Sequence, residues 1–180
     1  MRPRLAVATA SLLLLAGCSA GTGDFGLPDP VADAPCIVGN WTLDVADYSA
    51  QSEAWLQGIN PDYIDVQLTG SAEATFGDGT LSAQVDLSTS TILLAGEQPI
   101  LSEGRTPYTG SGDWEPGDDA DTIDVTYWAT TPDPGVIGTA ESAGLPTVDF
   151  FAVPSLAVTC TADTLELTST GAPLTARWHR

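Results

Sequence analysis

The sequence contains no lysine, and its 180 residues include only five arginines and one histidine. Aspartate and glutamate together number 24, so the formal net charge is −19 at pH 7. Proteins that bind nucleic acid or an anionic membrane surface need a basic patch to neutralise phosphate groups. The composition therefore excludes a nucleic-acid partner and predicts an acidic, self-repelling surface. A high-salt habitat or a basic partner also fits this charge.

Side chains suited to catalysis are scarce. The one histidine, His179, is the penultimate residue of the sequence, and chain termini tend to fray, so a serine triad is not predicted. From Cys36 onwards there is no Gly-x-Ser-x-Gly nucleophile motif. A zinc site of cysteine and histidine ligands cannot be assembled with a single histidine. We therefore predict no catalytic residue, no metal site and no cofactor, and we expect that the protein is not an enzyme.

The longest apolar run lies near the start of the sequence. Arg2 and Arg4 precede an apolar stretch at residues 5–15, and small residues follow it, which is the layout of a secretory signal. The stretch is shorter than the roughly 20 residues that a bilayer-spanning helix needs. It therefore predicts export rather than a transmembrane anchor.

Leu15-Ala16-Gly17-Cys18 ends this stretch and resembles the lipobox of bacterial lipoproteins. The resemblance implies that residues 1–17 are a removable signal peptide and that the Cys18 thiol receives a diacylglycerol. Two acyl chains give stable anchoring, whereas one gives marginal binding. The implied partner is the membrane, through this lipid, and the implied address is the extracytoplasmic face of the cell membrane. Cleavage without lipid attachment is the alternative.

Residues 18–35 are rich in Gly, Pro, Ala and Asp and lack apolar periodicity, so they are predicted to be a disordered tether. Residues 36–180 have the length of one domain with one core.

Two cysteines remain when Cys18 is assigned to lipid. In an oxidising exterior, Cys36 and Cys160 predict a disulfide that spans this domain. Two free thiols or a metal pair are the alternatives.

One helix is predicted after the first strand. Asp44 can cap it, and Asp47 places a carboxylate in the first turn, where the helix dipole favours negative charge. Gly58 predicts its end, and Pro61 prevents continuation. The residues predicted to share its buried face are Val45, Tyr48, Trp55, Leu56 and Ile59.

Apolar and polar residues alternate through most of the remaining chain, which is typical of antiparallel strands with one wet face. Asp78-Gly79 predicts a hairpin, and Ala162-Asp163 and Gly171-Ala172-Pro173 separate three further strands. Residues 110–121 and 131–144 lack the alternation and are predicted to be loops. The residues predicted to face the core are Ile64, Val66, Leu68, Leu81, Ala83, Val85, Leu87, Ile123, Val125, Tyr127, Leu156, Val158, Cys160, Leu165, Leu167, Leu174, Ala176 and Trp178.

Gly39-Asn40-Trp41, at the start of the first strand, resembles the Gly-x-Trp motif of lipocalins. In that family the tryptophan plugs one end of a barrel, and a basic residue near the last strand packs across its ring. The resemblance implies this barrel-closing role for Trp41 with Arg177 or Arg180. The predicted fold is mainly β: an antiparallel up-and-down (lipocalin-like) barrel with one amphipathic helix. The family's Thr-Asp-Tyr signature is absent. The chain as a whole is similar to lipocalin-like lipoproteins of actinobacteria, which share no agreed activity.

The densest group of carboxylates lies at residues 113–121. Calcium prefers such oxygen ligands, but the spacing fails for an EF-hand because Gly117 stands at a ligand position. We interpret the segment as a solvated acidic loop. Glycosidase chemistry depends on a spatial separation of two carboxylates, which the sequence does not give. The acidic residues of this segment are Asp113, Glu115, Asp118, Asp119 and Asp121.

Two functions follow as expectations. The lipocalin resemblance and the tether imply a module that binds or carries a small apolar ligand. The alternative is a structural or interaction module without a ligand, which presents Tyr108, Trp114 and Trp128 to another envelope protein. A barrel packed solid by Phe150 or Phe151 and aliphatic residues argues against the first function. A contiguous apolar patch on the exterior favours the second.

Overall fold

The computed structural model describes residues 34–133, 149–169 and 173–180. Each strand pairs antiparallel with the next along the chain, and the last strand pairs with the first, so the sheet forms a closed barrel. The predictions of a mainly β, up-and-down antiparallel fold and of a helix after the first strand are confirmed. The elements in chain order are α1 (Ala34–Ile37), β1 (Gly39–Leu43), α2 (Val45–Ile59), β2 (Tyr63–Phe76), β3 (Thr80–Ala95), β4 (Gln98–Pro116), β5 (Thr122–Pro132), β6 (Ser155–Cys160), β7 (Thr164–Ser169) and β8 (Thr175–His179).

The period-two pattern places most of the predicted core residues inside the barrel. Val66, Leu87 and Leu165, for example, are fully buried, while their polar neighbours along each strand face outwards. The predicted hairpins at Asp78-Gly79 and Ala162-Asp163 join β2 to β3 and β6 to β7. Gly79 adopts a φ of 71°, a conformation that its missing side chain permits. Most of the predicted loop at residues 131–144, and Gly171-Ala172, lie outside the described residues.

Strand β4 corrects the prediction of a loop at residues 110–121, because it runs on to Pro116. Its inward positions after Tyr108 are Gly110, Gly112 and Trp114, so two of them carry no apolar side chain. Glycine is needed there because a Cβ atom on Gly110 would lie 2.2 Å from Cζ2 of Trp128. The hydropathy of the sequence therefore shows no alternation of apolar and polar residues here, although the strand is regular.

A β-bulge overturns the prediction that Tyr127 faces the core. Between the pairs Ser111–Ala129 and Asp113–Thr126, Gly112 lies opposite two residues, Tyr127 and Trp128. Tyr127 adopts a φ of 53° and is 86% exposed. The extra residue shifts the inward position by one, so that Trp128 turns towards the core instead.

Ile64 is a second exception for a similar reason. The pairing of β2 with β3 shifts between Tyr63 and Asp65, and Ile64 is left 47% exposed at this irregularity. Beyond it, the regular inward alternation of Val66 and Leu68 is restored. Val158 and Cys160, also predicted to face the core, are only half-buried.

Helix α2 begins as predicted but ends differently. The carboxylate of Asp44 accepts a hydrogen bond of 2.9 Å from the Asp47 backbone N–H. The helix continues past Gly58, and the backbone N–H of Asn60 donates to the Leu56 carbonyl at 2.8 Å. Ile59, predicted to be buried, is 62% exposed, because the buried stripe advances in steps of four residues. This stripe consists of Tyr48, Ser52 and Leu56.

Polar contacts fix α2 across the barrel wall. The Leu68 backbone N–H donates to the Ser49 hydroxyl at 2.8 Å. The Gln51 side chain bonds both backbone groups of Thr175, each at 3.0 Å. None of the helices among the described residues is long and apolar enough to cross a membrane.

Candidate functional site

Cys36 and Cys160 are joined by a disulfide, as the sequence predicts. Their Cα atoms lie 6.1 Å apart, and the bond links residues that are 124 positions apart in the chain. Cys36 lies in α1, and Cys160 is the last residue of β6. The bond therefore fixes α1 to the end of β6 at the barrel rim. We call this end of the barrel, which also holds the β2–β3 turn, the tether end.

Arg180 packs over Trp41 at the tether end. The guanidinium carbon lies 4.6 Å from the centroid of the Trp41 ring. Nη2 of Arg180 also donates to the backbone carbonyls of Cys36 and Val38, at 2.8 and 3.0 Å. The indole N–H of Trp41 donates to the Ile37 carbonyl at 2.7 Å. Arg180 and Trp41 together satisfy the carbonyl groups of Cys36, Ile37 and Val38 and hold this segment against the barrel.

Arg177 has a different role. Its guanidinium contacts Glu166 at 2.9 Å and Asp47 at 3.1 Å, so it joins β7, β8 and α2. These carboxylates, above all the hydrogen-bonded Glu166, raise the pKa of Arg177 above its ordinary value. Of the two arginines that the lipocalin resemblance offered, Arg180 alone lies over the tryptophan.

The barrel interior is filled by aromatic side chains. Phe151 is fully buried and contacts the rings of Phe76, Trp128 and Trp178, with centroid distances of 5.1 to 6.0 Å. Phe150 extends the cluster to Tyr48 and Trp178, each at 5.3 Å. Edge-to-face arrangements dominate, which is a favourable geometry for aromatic pairs. The described residues thus fill the interior around Phe151 with aromatic side chains.

A carboxylate lies beside this cluster. Asp149 accepts hydrogen bonds from the Trp128 indole N–H at 3.0 Å and from the Phe151 backbone N–H at 3.3 Å. The Tyr108 hydroxyl lies 3.5 Å away. Burial, with a smaller effect of the Asp149 charge, raises the pKa of Tyr108 far above its ordinary value. Burial likewise raises the pKa of Tyr48 to about 12. Both phenols are neutral near neutral pH, and the Tyr108 hydroxyl donates to Asp149.

The three aromatic residues predicted as exposed anchors are therefore not exposed. Tyr108 and Trp114 are buried, and Trp128 is half-buried against Phe151. The Trp114 indole N–H donates to the Gly77 carbonyl at 3.0 Å and thereby holds the β2–β3 turn. These side chains stabilise the barrel and offer little surface to a partner.

Part of the exposed apolar surface of the described residues lies on the hairpin formed by β3 and β4, apart from Val38, Ile59 and Ile64. Ile100 is 50% exposed and Leu101 is 58% exposed. They pair with Leu93 and Ile92 respectively, which are half-buried. The sequence signal was two short aliphatic runs, 92–94 and 99–101, on either side of Gly96. We call these four residues, Ile92, Leu93, Ile100 and Leu101, the apolar tip.

A small apolar pocket opens at the tether end. Its volume is about 180 Å³, and its walls include the disulfide, Ile37, Trp114 and Ile123, with Asp121 at its margin. Small-molecule sites usually measure about 300–1,000 Å³, so this pocket is small for a lipid.

The acidic segment is a strand end followed by a tight turn. Asp113 and Glu115 belong to β4, and Asp119 lies in the turn, where its carbonyl accepts from both the backbone and the hydroxyl of Thr122. In the part of the chain that the structure describes, no three His, Cys, Asp or Glu side chains cluster as metal ligands.

No protein-family model, no curated protein and no solved structure matches the chain. The fold and the surfaces therefore define the class to which the protein belongs. In the residues that the structure describes, it is an acidic, disulfide-linked antiparallel β-barrel of eight strands with an aromatic cluster in its interior.

Proposed function

We propose that this protein is a lipoprotein, anchored on the extracytoplasmic face of the cell membrane, whose lipocalin-like barrel is an interaction module for another envelope protein. The apolar tip is the observation that carries the proposal. The packed aromatic interior supports it, because a carrier of an apolar ligand needs an internal chamber.

The apolar tip lies at the end of the barrel opposite the tether. Gly39, where the first strand begins, pairs with Phe76 at the end of β2. The tip pairs instead with the start of β2, since Tyr63 lies opposite Leu93. A lipid at Cys18 holds the tether end near the membrane, so the tip points away from it. This orientation suits contact with a second protein.

The surroundings of the tip indicate the chemistry of the partner. Exposed Glu97 and Glu103 and half-buried Asp65 lie on or next to the strands that carry the tip. Ile92 and Leu101 lie on one face of the hairpin, and Leu93 and Ile100 lie on the other. A partner that encloses the hairpin end would contact both apolar faces and leave the charged groups at the rim, which is a common arrangement in protein interfaces. The partner would offer an apolar cleft bordered by lysine or arginine, and salt would slow the association.

Site-specific photo-crosslinking in the native host tests this proposal. With a photoreactive residue at Leu101, we expect an adduct with one defined protein that carries a basic surface. The additional change Ile92→Ser, at the residue that pairs with Leu101 on the same face of the hairpin, should abolish the adduct, and higher salt should reduce it. The matched control places the photoreactive residue at Thr109, which is exposed on the same strand. No adduct at Leu101, or the same adduct at Thr109, would contradict the proposal.

The anchor has its own test. In cells fed an alkyne analogue of palmitate, the unchanged protein should become labelled and fractionate with membranes. Cys18→Ser should abolish both, whereas Cys160→Ser should retain the label, because that cysteine lies in the disulfide. Labelling that survives Cys18→Ser would contradict the lipid anchor.

A second candidate function is binding of a small apolar group in the pocket at the tether end. The pocket volume of about 180 Å³ is close to that of an engineered apolar cavity, about 150 Å³, that accepts benzene. Benzene should then raise the melting temperature of the protein, and Val158→Phe, which fills the pocket, should remove the rise. An equal rise in the Val158→Phe variant would contradict specific binding there.

A further inference from the structure

A groove of about 490 Å³ runs over the outer face of the barrel near the tether end. It lies on the opposite face of the sheet from the aromatic cluster and far from the apolar tip. It is an open surface groove rather than an enclosed cavity. The residues that line it are Thr75, Gly77, Thr80, Leu81, Ser82, Ser111, Gly112, Asp113 and Tyr127.

Hydroxyl groups cross the floor of the groove in a row. Thr75 pairs with Ser82, and Ser82 pairs with Ser111, so the three side chains lie side by side on β2, β3 and β4. Adjacent strands are about 4.8 Å apart, which gives the row a regular spacing. On β1, Asn40 extends it, because its side-chain oxygen accepts from the Thr75 hydroxyl at 2.9 Å. Each hydroxyl can both donate and accept a hydrogen bond.

A second row adds charge. Thr80 pairs with Asp113, and both side chains are exposed. Among the described residues that line the groove, Asp113 alone carries a charge. An anionic ligand is therefore disfavoured, and a ligand with hydroxyl donors is favoured.

Tyr127 borders the groove in a strained conformation. Its φ of 53° is uncommon for a bulky residue, and its side chain is 86% exposed. Such backbone strain is concentrated at functional sites.

The architecture needs the bulge but does not need tyrosine in it. The bulge turns Trp128 inwards to Phe151 and Asp149, and Gly112 opposite leaves room for it, since a Cβ there would lie 2.9 Å from the Thr126 carbonyl oxygen. Glycine or asparagine at position 127 would form the same bulge with less strain. The tyrosine ring instead provides a large exposed aromatic surface beside the hydroxyl row.

We propose that this groove binds a neutral saccharide. The exposed ring of Tyr127 contacts the apolar face of a sugar, the hydroxyl row exchanges hydrogen bonds with its hydroxyls, and Asp113 accepts from one of them. This assignment uses other residues, at the other end of the barrel, than the proposed protein contact. The two proposals can therefore fail separately.

Titration of the full chain with neutral oligosaccharides, followed by saturation-transfer NMR, tests the assignment. The probes are trisaccharides of glucose, mannose, galactose and N-acetylglucosamine. We expect at least one to bind and its affinity to fall at least tenfold in Tyr127→Ala and in Asp113→Asn. Tyr127→Phe should retain most of the affinity, and Leu101→Ser at the apolar tip is the matched control.

The melting temperature separates binding from folding. Tyr127→Gly should raise it, because the strain is removed, while binding is lost. Failure of all four trisaccharides to bind, or binding that is unchanged in Tyr127→Ala, would overturn the proposal. A Tyr127→Gly variant that melts at a lower temperature and binds normally would overturn it as well.

Discussion

At the scale of single residues, glycine positions determine where the large aromatic side chains can pack. Gly110 lies directly under the Trp128 ring, and Gly112 faces the bulge that turns this ring inwards. The two glycines and the tryptophan differ greatly in size, but they pack together as one unit. A hydropathy pattern cannot reveal such a unit, because a glycine at an inward position does not count as an apolar residue. The predictions of a loop at 110–121 and of an inward Tyr127 failed for this reason.

The first residue-scale prediction concerns Gly110. Gly110→Ala places a Cβ atom 2.2 Å from the Trp128 ring, so we expect a loss of about 1–3 kcal/mol in the free energy of unfolding. Gly58→Ala is the matched control, because no atom lies within 4 Å of its added Cβ in the helix. That control should gain about 0.5–1 kcal/mol. Equal effects of the two changes in urea denaturation would contradict the packing described here.

The second residue-scale prediction concerns pH and Asp44. The Asp47 backbone N–H, followed by His179, holds the pKa of Asp44 below its usual 3.8. The stabilising contribution is therefore present above about pH 4 and is lost as the pH falls through the lowered pKa of the folded state. Asp44→Ala should lose about 1 kcal/mol at neutral pH and much less in strong acid.

Asp44→Asn is the control for this titration, because asparagine caps a helix without a charge. At neutral pH, Asp44→Asn should lose less stability than Asp44→Ala. This loss, measured against the unchanged protein, should also shrink as the pH falls. Urea denaturation at several pH values measures both variants. A loss in Asp44→Ala that grows as the pH falls would contradict the assigned sign.

At the scale of elements, the barrel is held closed by contacts between distant parts of the chain. Arg180 joins the C-terminal end of β8 to α1, and Arg177 joins β8 to β7 and α2. The disulfide joins α1 to β6. With Cys18 assigned to lipid, the sequence left two cysteines and so predicted their disulfide. It gave both Arg177 and Arg180 as candidates for the contact with Trp41. It could not choose between them, because the contact of Arg180 with the Trp41 ring joins opposite ends of the domain sequence, which a local pattern does not encode.

The element-scale prediction concerns the disulfide. Since it connects residues 124 positions apart, replacing both Cys36 and Cys160 by serine should lower the free energy of unfolding by about 4–5 kcal/mol. Thermal and urea denaturation measure the loss, and Cys18→Ser, outside the domain, should leave stability unchanged. Stability that does not respond to a reducing agent in the unchanged protein would count against this contribution.

At the scale of the whole molecule, the alternation of apolar and polar residues predicted the sheet. The short turns between the predicted strands predicted the up-and-down order of those strands. The candidate surfaces were harder to predict. The apolar tip depends on how far β3 and β4 extend together, and the polar groove depends on register across four strands. Both are properties of pairing between distant residues, which a local pattern does not encode. The packed interior moves the expected function from the inside of the barrel to its exterior.

Native mass spectrometry of the full-length protein, extracted from its host membrane, tests this central claim most directly. We predict a polypeptide that carries its covalent lipid and no further small molecule within the barrel. We also predict a complex with one other protein, which is lost in the Leu101→Asp variant. A stoichiometric, non-covalently bound lipid, together with a complex that is unaffected by Leu101→Asp, would contradict the account.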